Sequence, residues 1–397
     1  MANPVVSLVR QDGYALPALK KSIAEMLAPL GGMEKFVRPG DNVVLKLNLV
    51  CPTKGGAPAY TQPEVFQAVA ELALDCGGRV SCGDSPGMGS AARVAALAGI
   101  TPVAERLGVP VLEFTGKEVF DGGRMFKTLR LARELLEADC VINLPRLKTH
   151  GQMLLTAAVK NLFGAVIGAE KFAWHYRAGN DYAVFARMLY EICMTVRPKL
   201  HILDAVRSMH GLGPTNGMAC ESRFMAAGTD PCAIDAVMMR ILGRRPEELY
   251  TLRAAAAAGD TTWQNPEIVG VDDWQSLRPA DWQWPPNQAL AMINPRLVKM
   301  LPFVSEEKLR GWLAMYPAVD NRKCVQCGRC AGVCQVGAIA VNRLGGADGR
   351  PGGGDKLLFN RDRCIRCYCC HELCPEHALE LRGGWLGKII RFLNGLL

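Results

Sequence analysis

The chain has 397 residues, 49% of them hydrophobic, which is enough for a large buried core and two or three domains. Its formal net charge of +8 is small for this length and argues against a nucleic-acid-binding protein. No apolar run approaches the roughly 18 residues of a membrane span, and the N-terminus lacks a basic-then-apolar export segment, so we expect a cytoplasmic protein.

Short apolar runs alternate with longer helix-like segments over the first two thirds of the chain. Residues 62–76 and 230–242 are typical helical segments, and the predicted strands are VVSLVR, NVVLKLNL, RVSCGD, VPVLEF, CVINLP, LHILDA and RFMAAGTD. This alternation predicts an α/β fold with a largely parallel sheet covered by helices. We expect this domain to occupy residues 1–278.

Polar residues lie at or just past the C-terminal end of five of these runs. They are Lys46, Asn48, Asp84, Ser85, Asn143, Lys148, His150, Asp204, Thr229 and Asp230. In open α/β sheets this edge binds ligands, so together the residues predict a functional cleft. Taken singly, each has an ordinary alternative: an aspartate could cap a helix and a lysine could face solvent.

The segment LKTHGQMLLTAAVKNLFGAVIGAEKFAWH concentrates cationic and hydrogen-bonding side chains after the fifth run. Such a cluster suits a carboxylate or phosphate, with a histidine exchanging the proton that accompanies electron delivery. The predicted catalytic residues are Lys148, His150, Lys160 and Asp84. The predicted substrate-binding residues are Lys46, Asn48, Ser85, Asn161, Lys171, His175, Asp204 and Asp230. Alternatively, His150 and His175 could bind a metal beside Asp84 or Asp204, or be core histidines with backbone partners.

Two glycine-containing loops add weaker interpretations. GDSPGMGSAA follows a strand and opens a helix, with Glu113 beyond it, and superficially resembles a nicotinamide or flavin loop. GLGPTNG, residues 211–217, could bring backbone amides to an anion or be a plain tight connection.

The seven cysteines outside the C-terminal region share no ligand spacing, so we expect them to be buried, with Cys51 and Cys82 near the cleft.

Residues 279–318 are predicted to form a connector that ends in a short helix. The connector contains Pro279, Pro285, Pro286, Pro295, Pro302, Trp282 and Trp284. This is too much proline for a continuous helix and too aromatic for a free tether, so we expect the segment to lie along the large domain.

Four cysteines recur at an offset of 40 residues, and each copy reads C-x2-C-x2-C-x3-C followed by a short apolar strand that is able to pack beside its twin. This run is the pattern of bacterial two-cluster ferredoxins, in which the fourth cysteine of each copy joins the other cluster. It predicts two [4Fe-4S] clusters within residues 319–382. The first set is Cys324, Cys327, Cys330 and Cys374, and the second is Cys364, Cys367, Cys370 and Cys334. A pair of zinc sites, the alternative, would prefer separated C-x2-C pairs.

The cysteine run departs from the usual pattern in two places. Gln335 replaces the proline that normally follows the fourth cysteine, and Cys369 is an extra thiol that could be a spare or alternative ligand. Glycine and proline predict an irregular loop over residues 345–354. Two clusters of about −2 each would lower the net charge to roughly +4.

Residues 383–397 are predicted to form an amphipathic helix. Its apolar face would carry Trp385, Ile389, Phe392 and Leu396, with Lys388 and Arg391 flanking. Such a helix would dock on its own protein, on a partner or on a membrane surface.

Five segments in this order, VVLKLNL, NLPRLKTH, KNLFGAVIG, GLGPTNG and GTDPCAIDAV, together with the two-cluster tail, resemble the domain of unknown function 362 family of iron-sulfur proteins. The resemblance covers about residues 3–245 and the tail. It implies an α/β domain often fused to a bacterial ferredoxin module and frequent in anaerobes, with no general reaction established.

Three functional hypotheses follow. In the first, the chain is an oxidoreductase whose clusters relay electrons to a substrate or cofactor in the cleft, and a further metal, flavin or nicotinamide is an additional candidate there. In the second, it is a non-enzymatic electron carrier or maturation factor that docks on a partner enzyme. In the third, the clusters only stiffen the tail. The expected partners are a redox protein or a small molecule.

Overall fold

The structure is a computed structural model that describes residues 3–52, 58–120, 126, 128–168, 170–178, 181–285, 315–342 and 356–383. The strands are β1 (Val5–Arg10), β2 (Asn42–Lys46), β3 (Arg79–Gly83), β4 (Val111–Leu112), β5 (Gly116–Phe120), β6 (Thr128–Ala132), β7 (Cys140–Asn143), β8 (Arg146–His150), β9 (Leu154–Thr156), β10 (Leu200–His210), β11 (Met218–Gly228), β12 (Glu267–Val269), β13 (Met315–Val319), β14 (Ile339–Val341), β15 (Leu357–Phe359) and β16 (Leu379–Gly383). The α-helices are α1 (Leu16–Leu27), α2 (Pro63–Asp75), α3 (Ala91–Leu97), α4 (Thr101–Leu107), α5 (Arg133–Leu136), α6 (Ala158–Asn161), α7 (Glu170–Ala178), α8 (Tyr182–Val196), α9 (Pro231–Ile241), α10 (Tyr250–Ala257), α11 (Arg329–Gly332) and α12 (Cys369–Glu372).

A ten-stranded sheet forms the centre of the large domain within the described residues. Its main order is β12-β1-β11-β10-β7-β2-β3-β4, and β8 and β9 extend it from β10. Strands β10, β7, β2, β3 and β4 pair in parallel, whereas β11 runs antiparallel to both β1 and β10. The predicted α/β fold with a largely parallel, helix-covered sheet is therefore confirmed.

Helices cover both faces of this sheet because its strands are apolar on both sides. Successive residues of a strand point to opposite faces. Accordingly, Val43 of β2 packs in a core with Ile23 of α1, and Val44 packs in a second core with Leu189 of α8.

The register of the parallel strands brings polar residues to one edge of the sheet. Lys46, the last residue of β2, is level with Gly83 of β3 and with Asn143 of β7. Asp84 follows directly after β3. The adjacent β8 pairs in parallel with β10, and its alternation places Lys148 and His150 on the same side of the strand.

Residues 315–342 and 356–383 form a small module with two similar halves. Ile339 and Leu379 share its core, but the strands pair crosswise: β13 with β16, and β14 with β15. The strand before each cysteine run is thus joined to the strand after the other run. This exchange matches the predicted crossing of the fourth cysteines.

The module packs on the large domain. Val333 and Leu373 of the module form a small apolar cluster with Cys51, and Phe172 packs against that cluster. The described start of the connector also lies on the large domain, where Trp282 is buried in the core. Most of the connector, the loop at 345–354 and the predicted helix after residue 383 lie outside the described residues. No helix among the described residues combines the length and apolarity needed to cross a membrane.

Candidate functional site

A cavity of about 100 Å³ lies where the carboxyl edge of the sheet meets the small module. Its lining residues are Asn48, Val50, Asp84, Ser85, Gly87, Lys148, Thr156, Lys160, Asn161, Phe163, Gly164, Lys171, Phe172, His175, Pro214, Cys369, Glu372 and Leu373. Two walls come from the large domain, and the third comes from α12 of the module and the residue after it.

The first wall is built around a buried ion pair at the ends of β2 and β3. Lys46 Nζ lies 2.8 Å from Asp84 Oδ1, and neither side chain is appreciably exposed. Asp84 Oδ2 accepts a hydrogen bond of 2.6 Å from the Leu49 amide. Burial lowers the pKa of Lys46, and the neighbouring Asp84 carboxylate opposes that shift. The pair is thus neutral overall and rigidly placed.

Gly164 allows this pair to approach the backbone. A Cβ at this position would lie 2.0 Å from Asp84 Oδ1 and 2.4 Å from Lys46 Nζ. Both distances are far below contact, so the tight fit requires glycine. The KNLFG segment therefore supplies both side chains and a closely approaching backbone to the cavity.

Strand β8 provides Lys148 and His150. Lys148 Nζ donates to Asn48 Oδ1 at 3.1 Å and to the Ala59 carbonyl at 2.8 Å, and burial lowers its pKa to about 7. His150 Nδ1 accepts from the amides of Gln152 and Met153, both at 3.1 Å. A neutral ring that accepts at Nδ1 carries its hydrogen at Nε2. Burial holds the pKa of His150 well below its ordinary value, which favours this neutral form.

The second wall comes from α6 and α7. Lys160 is partly buried, with its ammonium 5.3 Å from the centre of the Phe163 ring. Lys171 donates to the Val166 carbonyl, and burial lowers its pKa to about 7. His175 stacks on Phe185, and burial lowers its pKa to about 3, so it is neutral at physiological pH.

Asn161 and Ser85 tie this wall to the sheet. Asn161 Nδ2 donates to Asn143 Oδ1 at 2.7 Å. Ser85 Oγ accepts from the Gly168 amide at 2.8 Å. These contacts fix the helical segment above the strand ends.

The third wall consists of Cys369, Glu372 and Leu373 from the module. Glu372 Oε1 lies 3.5 Å from His150 Nε2, and burial raises the pKa of this carboxyl to about 7. Sequence reasoning missed Glu372, because the pattern around it was explained entirely by cysteine ligands. Cys369, noted only as an extra thiol, is buried at the same wall.

The loop at residues 211–217 holds the module in place. Thr215 Oγ1 donates to the Glu372 carbonyl at 2.8 Å, and Asn216 Nδ2 donates to the His371 carbonyl at 2.8 Å. The neighbouring Pro214 lines the cavity. The structure thus gives this loop a docking role that neither sequence interpretation included.

The structure brings together most of the predicted site residues. Those that line the cavity are Asn48, Asp84, Ser85, Lys148, Lys160, Asn161, Lys171 and His175. Lys46 and His150 lie directly behind it through their contacts with Asp84 and Glu372.

Asp204 is not part of the cavity. The predicted strand LHILDA continues to His210, so Asp204 lies inside β10 rather than at its end. There its carboxylate accepts from Tyr14 at 3.0 Å and lies 3.3 Å from Arg146 Nη1. These contacts describe a buried structural network rather than a substrate ligand.

Asp230 lies at the opposite edge of the sheet. Strand β11 is antiparallel, and its last residue, Gly228, pairs with His201 at the beginning of β10. Asp230 caps α9 by accepting from the amides of Cys232 and Ala233 at 2.8 and 2.9 Å. The prediction of a substrate ligand here was wrong because it assumed a parallel strand.

The weaker cofactor interpretations gain no support from the geometry. His150, one of the two alternative metal ligands, uses Nδ1 to accept from the Gln152 and Met153 amides, and His175, the other, stacks on Phe185. In the GDSPGMGSAA loop, Ser90 caps α3, and Glu113 accepts from the Ala92 amide at 2.9 Å. Cys51 and Cys82 are buried, which raises the pKa of each thiol to about 12.

The module brings cysteines of the two runs close to one another. One cavity in the module is lined by all four cysteines of the first set. Burial raises the pKa of Cys330 to about 11, and the nearby thiols of Cys374, Cys327 and Cys324 contribute. In the second set, Cys364 has Cys367 and Cys334 as its thiol neighbours.

The backbone around the cysteines also fits a pair of clusters. Gln326 and Arg366 occupy equivalent positions of the two runs, and both have φ of 54°; Gly328 and Tyr368 repeat the feature with φ of 76° and 60°. This matched left-handed backbone wraps each run around a centre. In addition, the fourth cysteines, Cys334 and Cys374, each accept a backbone amide hydrogen bond. The eight cysteine thiols and the curved backbone around them therefore fit two [4Fe-4S] clusters.

Comparisons with known proteins agree with both parts of the fold. Residues 43–240 match the model of the domain of unknown function DUF362, and residues 323–378 match the 4Fe-4S dicluster domain. The Synechocystis sp. protein named "Thylakoid-associated protein sll1697" is 40% identical over 291 residues, which is 70% of this chain and 91% of that protein. The chain belongs to the DUF362 family. It carries two [4Fe-4S] clusters in its C-terminal module.

Two further relatives match shorter parts of this DUF362 protein. Pyruvate synthase subunit PorD of Thermotoga maritima is 32% identical over 77 residues, 19% of this chain and 68% of that protein. Polyferredoxin protein MvhB of Methanothermobacter marburgensis is 31% identical over 98 residues, 18% of this chain and 24% of that protein. A crystal structure of another Thermotoga maritima protein covers 66% of this chain and 62% of its own, with 13% identity and a TM-score of 0.35.

Proposed function

We propose that this DUF362 protein delivers electrons from its iron-sulfur module to a small molecule held in the interdomain cavity. The clusters supply one-electron transfer. The observation that carries the proposal is the third wall: Cys369, Glu372 and Leu373 lie between cluster ligands and at the same time line the cavity. A molecule bound against the lysines would therefore touch the redox module directly.

The two cysteine sets have different surroundings. Of the wall residues, Cys369 is next to Cys370 of the second set and Leu373 is next to Cys374 of the first set, so both sets adjoin the cavity. In the first set, Cys327 is exposed, and the neighbouring Val325 is 62% exposed. We infer that electrons enter from a redox partner near Cys327 and leave on the cavity side.

The cavity also holds groups that suit proton exchange. Lys148 and Lys171 both have a pKa lowered to about 7 by burial. Acid–base groups work best when their pKa lies near the operating pH. Either lysine is therefore able to give or take the proton that accompanies reduction of an organic molecule.

The test is to block the cavity without touching a charge or a cysteine. Gly87 has a negative or extended φ, and a Cβ there would lie 3.6 Å from Leu373 Cδ2, so Gly87→Leu should place its branched end in the cavity. Stopped-flow reoxidation of the dithionite-reduced protein would be followed with neutral and anionic organic oxidants and with the small-molecule fraction of a cell extract. We expect saturable reoxidation by at least one compound, lost in Gly87→Leu.

Ala257→Leu, an exposed site on α10, is the matched control and should behave as the wild type. Iron content of about eight per chain and the reduced-cluster spectrum must be retained in all three proteins. Equal reoxidation rates in the blocked and unblocked proteins with every oxidant would contradict the proposal. That result would favour a carrier that passes electrons only between proteins.

A further inference from the structure

We infer that the cavity binds its ligand through an oxyanion, a carboxylate or a phosphate, held by Lys148, Lys160 and Lys171. The inference rests on the proposed function only in taking this ligand to be the molecule that receives electrons. The anion site would also exist if the bound ligand received no electrons.

The lysines that line the cavity outnumber the carboxyl groups available to pair with them. Asp84 is already paired with Lys46 behind the wall. Among the lining residues, Glu372 is then the remaining carboxyl group, facing the ammonium groups of three lysines. Because buried charges are costly unless they are paired, an excess of lysine in an enclosed space favours an anion there.

The three lysines have hydrogen-bonding capacity to spare. Each ammonium can donate three hydrogen bonds. Within the described residues, Lys148 uses neutral acceptors on Asn48 and Ala59, and Lys171 uses the Val166 carbonyl. Lys160 faces an aromatic ring rather than an oxygen. None of the three makes an ion pair within 4.0 Å in this part of the chain.

Several polar atoms of the lining make no hydrogen bond to the protein. They are Asn48 Nδ2, Thr156 Oγ1, His175 Nδ1 and Glu372 Oε1, the last of which lies 3.5 Å from His150 Nε2. Asn48, Thr156 and His175 are only 2%, 5% and 6% exposed. Buried polar atoms are nearly always hydrogen-bonded, so these four indicate a ligand or ordered water. The Asn48 amide and the Thr156 hydroxyl are able to donate hydrogen bonds to an oxyanion. The Glu372 carboxyl group is able to accept one from a hydroxyl or amine on the same molecule.

The size of the cavity restricts the ligand further. At about 100 Å³ it lies below the roughly 300 Å³ at which drug-sized pockets begin. The cavity is partly open, so a nucleotide would have to extend beyond it. A short organic acid or phosphate is the class of molecule that matches both the charge and the volume.

A rival explanation is that the lysines only offset the negative charge of the nearby clusters. In that case, removing a lysine would lower a cluster reduction potential, while small anions would not bind. The two explanations therefore differ in a binding measurement that requires no turnover.

The experiment is anaerobic calorimetry on the cluster-loaded full chain, in chloride buffer, with acetate, pyruvate, orthophosphate and the neutral amide pyruvamide. We expect at least one of the three oxyanions to bind saturably at concentrations below about 10 mM, and pyruvamide to bind at least roughly ten-fold more weakly than pyruvate. Comparing acetate and pyruvate with orthophosphate separates the carboxylate from the phosphate.

Lys148→Met and Lys171→Met keep the length of the apolar stem and remove the charge. Each should weaken binding of that oxyanion by roughly ten-fold or more. Lys21→Met removes the same charge at a side chain that is 78% exposed, and should leave binding unchanged. If a lysine variant fails to fold, the comparison of pyruvate with pyruvamide on the wild type still decides.

Saturable binding of pyruvate and pyruvamide with equal affinity, or no saturable binding of any of the three oxyanions, would overturn the inference. Oxyanion binding combined with reoxidation that ignores the Gly87→Leu block would remove the proposed electron delivery and leave the anion site standing. Saturable reoxidation by a neutral oxidant that is lost in Gly87→Leu, combined with no binding of any oxyanion, would remove the anion site and leave the proposed electron delivery standing.

Discussion

Gly164 has the most demanding position among the single residues of the cavity. Its backbone passes so close to the Lys46–Asp84 pair that no side chain fits between them. The ion pair in turn fixes the Leu49 amide and the end of β2. The absence of a side chain at Gly164 therefore permits the observed positions of the Lys46–Asp84 pair and of the end of β2.

We predict that Gly164→Ala separates Lys46 from Asp84 and lowers the free energy of unfolding by about 2 kcal/mol or more, because overpacking of a buried site is combined with strain on a buried ion pair. Anaerobic denaturant titration followed by tryptophan fluorescence measures this loss. Gly332→Ala is the control, since a Cβ there meets nothing within 4 Å. Similar stabilities for the two variants would show that the backbone at Gly164 can relax.

The sequence identified residues of the site where they follow from the rule that parallel strands end at one edge of the sheet. Lys46, Asp84 and Lys148 follow or lie within strands whose parallel pairing brings their ends to one edge. The structure places Asp204 and Asp230 away from the cavity, because the length and direction of a strand depend on pairing partners that are distant in the chain. A short apolar run gives neither its final length nor its orientation in the sheet.

At the scale of elements, the loop at 211–217 and helix α12 form the contact that closes the cavity. Two side chains of the loop donate to consecutive backbone carbonyls, those of His371 and Glu372. Because α12 has only four residues, these carbonyls are not fully used within the helix. The loop thus completes the hydrogen bonding of the helix end and orients it.

Replacing both donors, as Thr215→Val with Asn216→Ala, should let α12 separate from the loop more often. Two hydrogen bonds of about 1 kcal/mol each correspond to a roughly thirty-fold increase in opening. Hydrogen exchange of residues 369–373 should rise accordingly, while β2 and β3 stay protected. Asn265→Ala, which removes an exposed amide, is the control. Unchanged exchange in the double variant would mean that apolar contacts alone hold the module.

The sequence predicted the elements of the module but not its position on the large domain. The spacing of the cysteines identified both sets of ligands, because ligand geometry depends on neighbours a few residues apart. The position of the module depends on single contacts, such as Thr215 with Glu372, between residues 157 apart in the chain. No local pattern in the sequence records such a contact.

At the scale of the whole molecule, the two parts differ in what stabilises them. The large domain has two extensive apolar cores on either side of its sheet. The core of the module is small, and Cys324, Cys330 and Cys370 are among its buried members. A structure this small usually needs a metal centre or a similar constraint to remain folded.

Removal of iron under anaerobic conditions should therefore unfold the module and spare the large domain. Hydrogen exchange should lose protection over residues 315–342 and 356–383, whereas the central strands β2, β7 and β10 keep theirs. A mock-treated sample that retains its iron is the control. A module that stays protected without iron would show that apolar packing and backbone bonding suffice.

The third wall of the cavity is made of residues between cysteine ligands. If the module unfolds without iron, as predicted above, a newly made chain that has not yet received its metal would lack a finished chamber and would be unable to trap the proposed small molecule prematurely. Damage by oxygen would then have the same effect in reverse and would release the occupant when the supply of electrons fails.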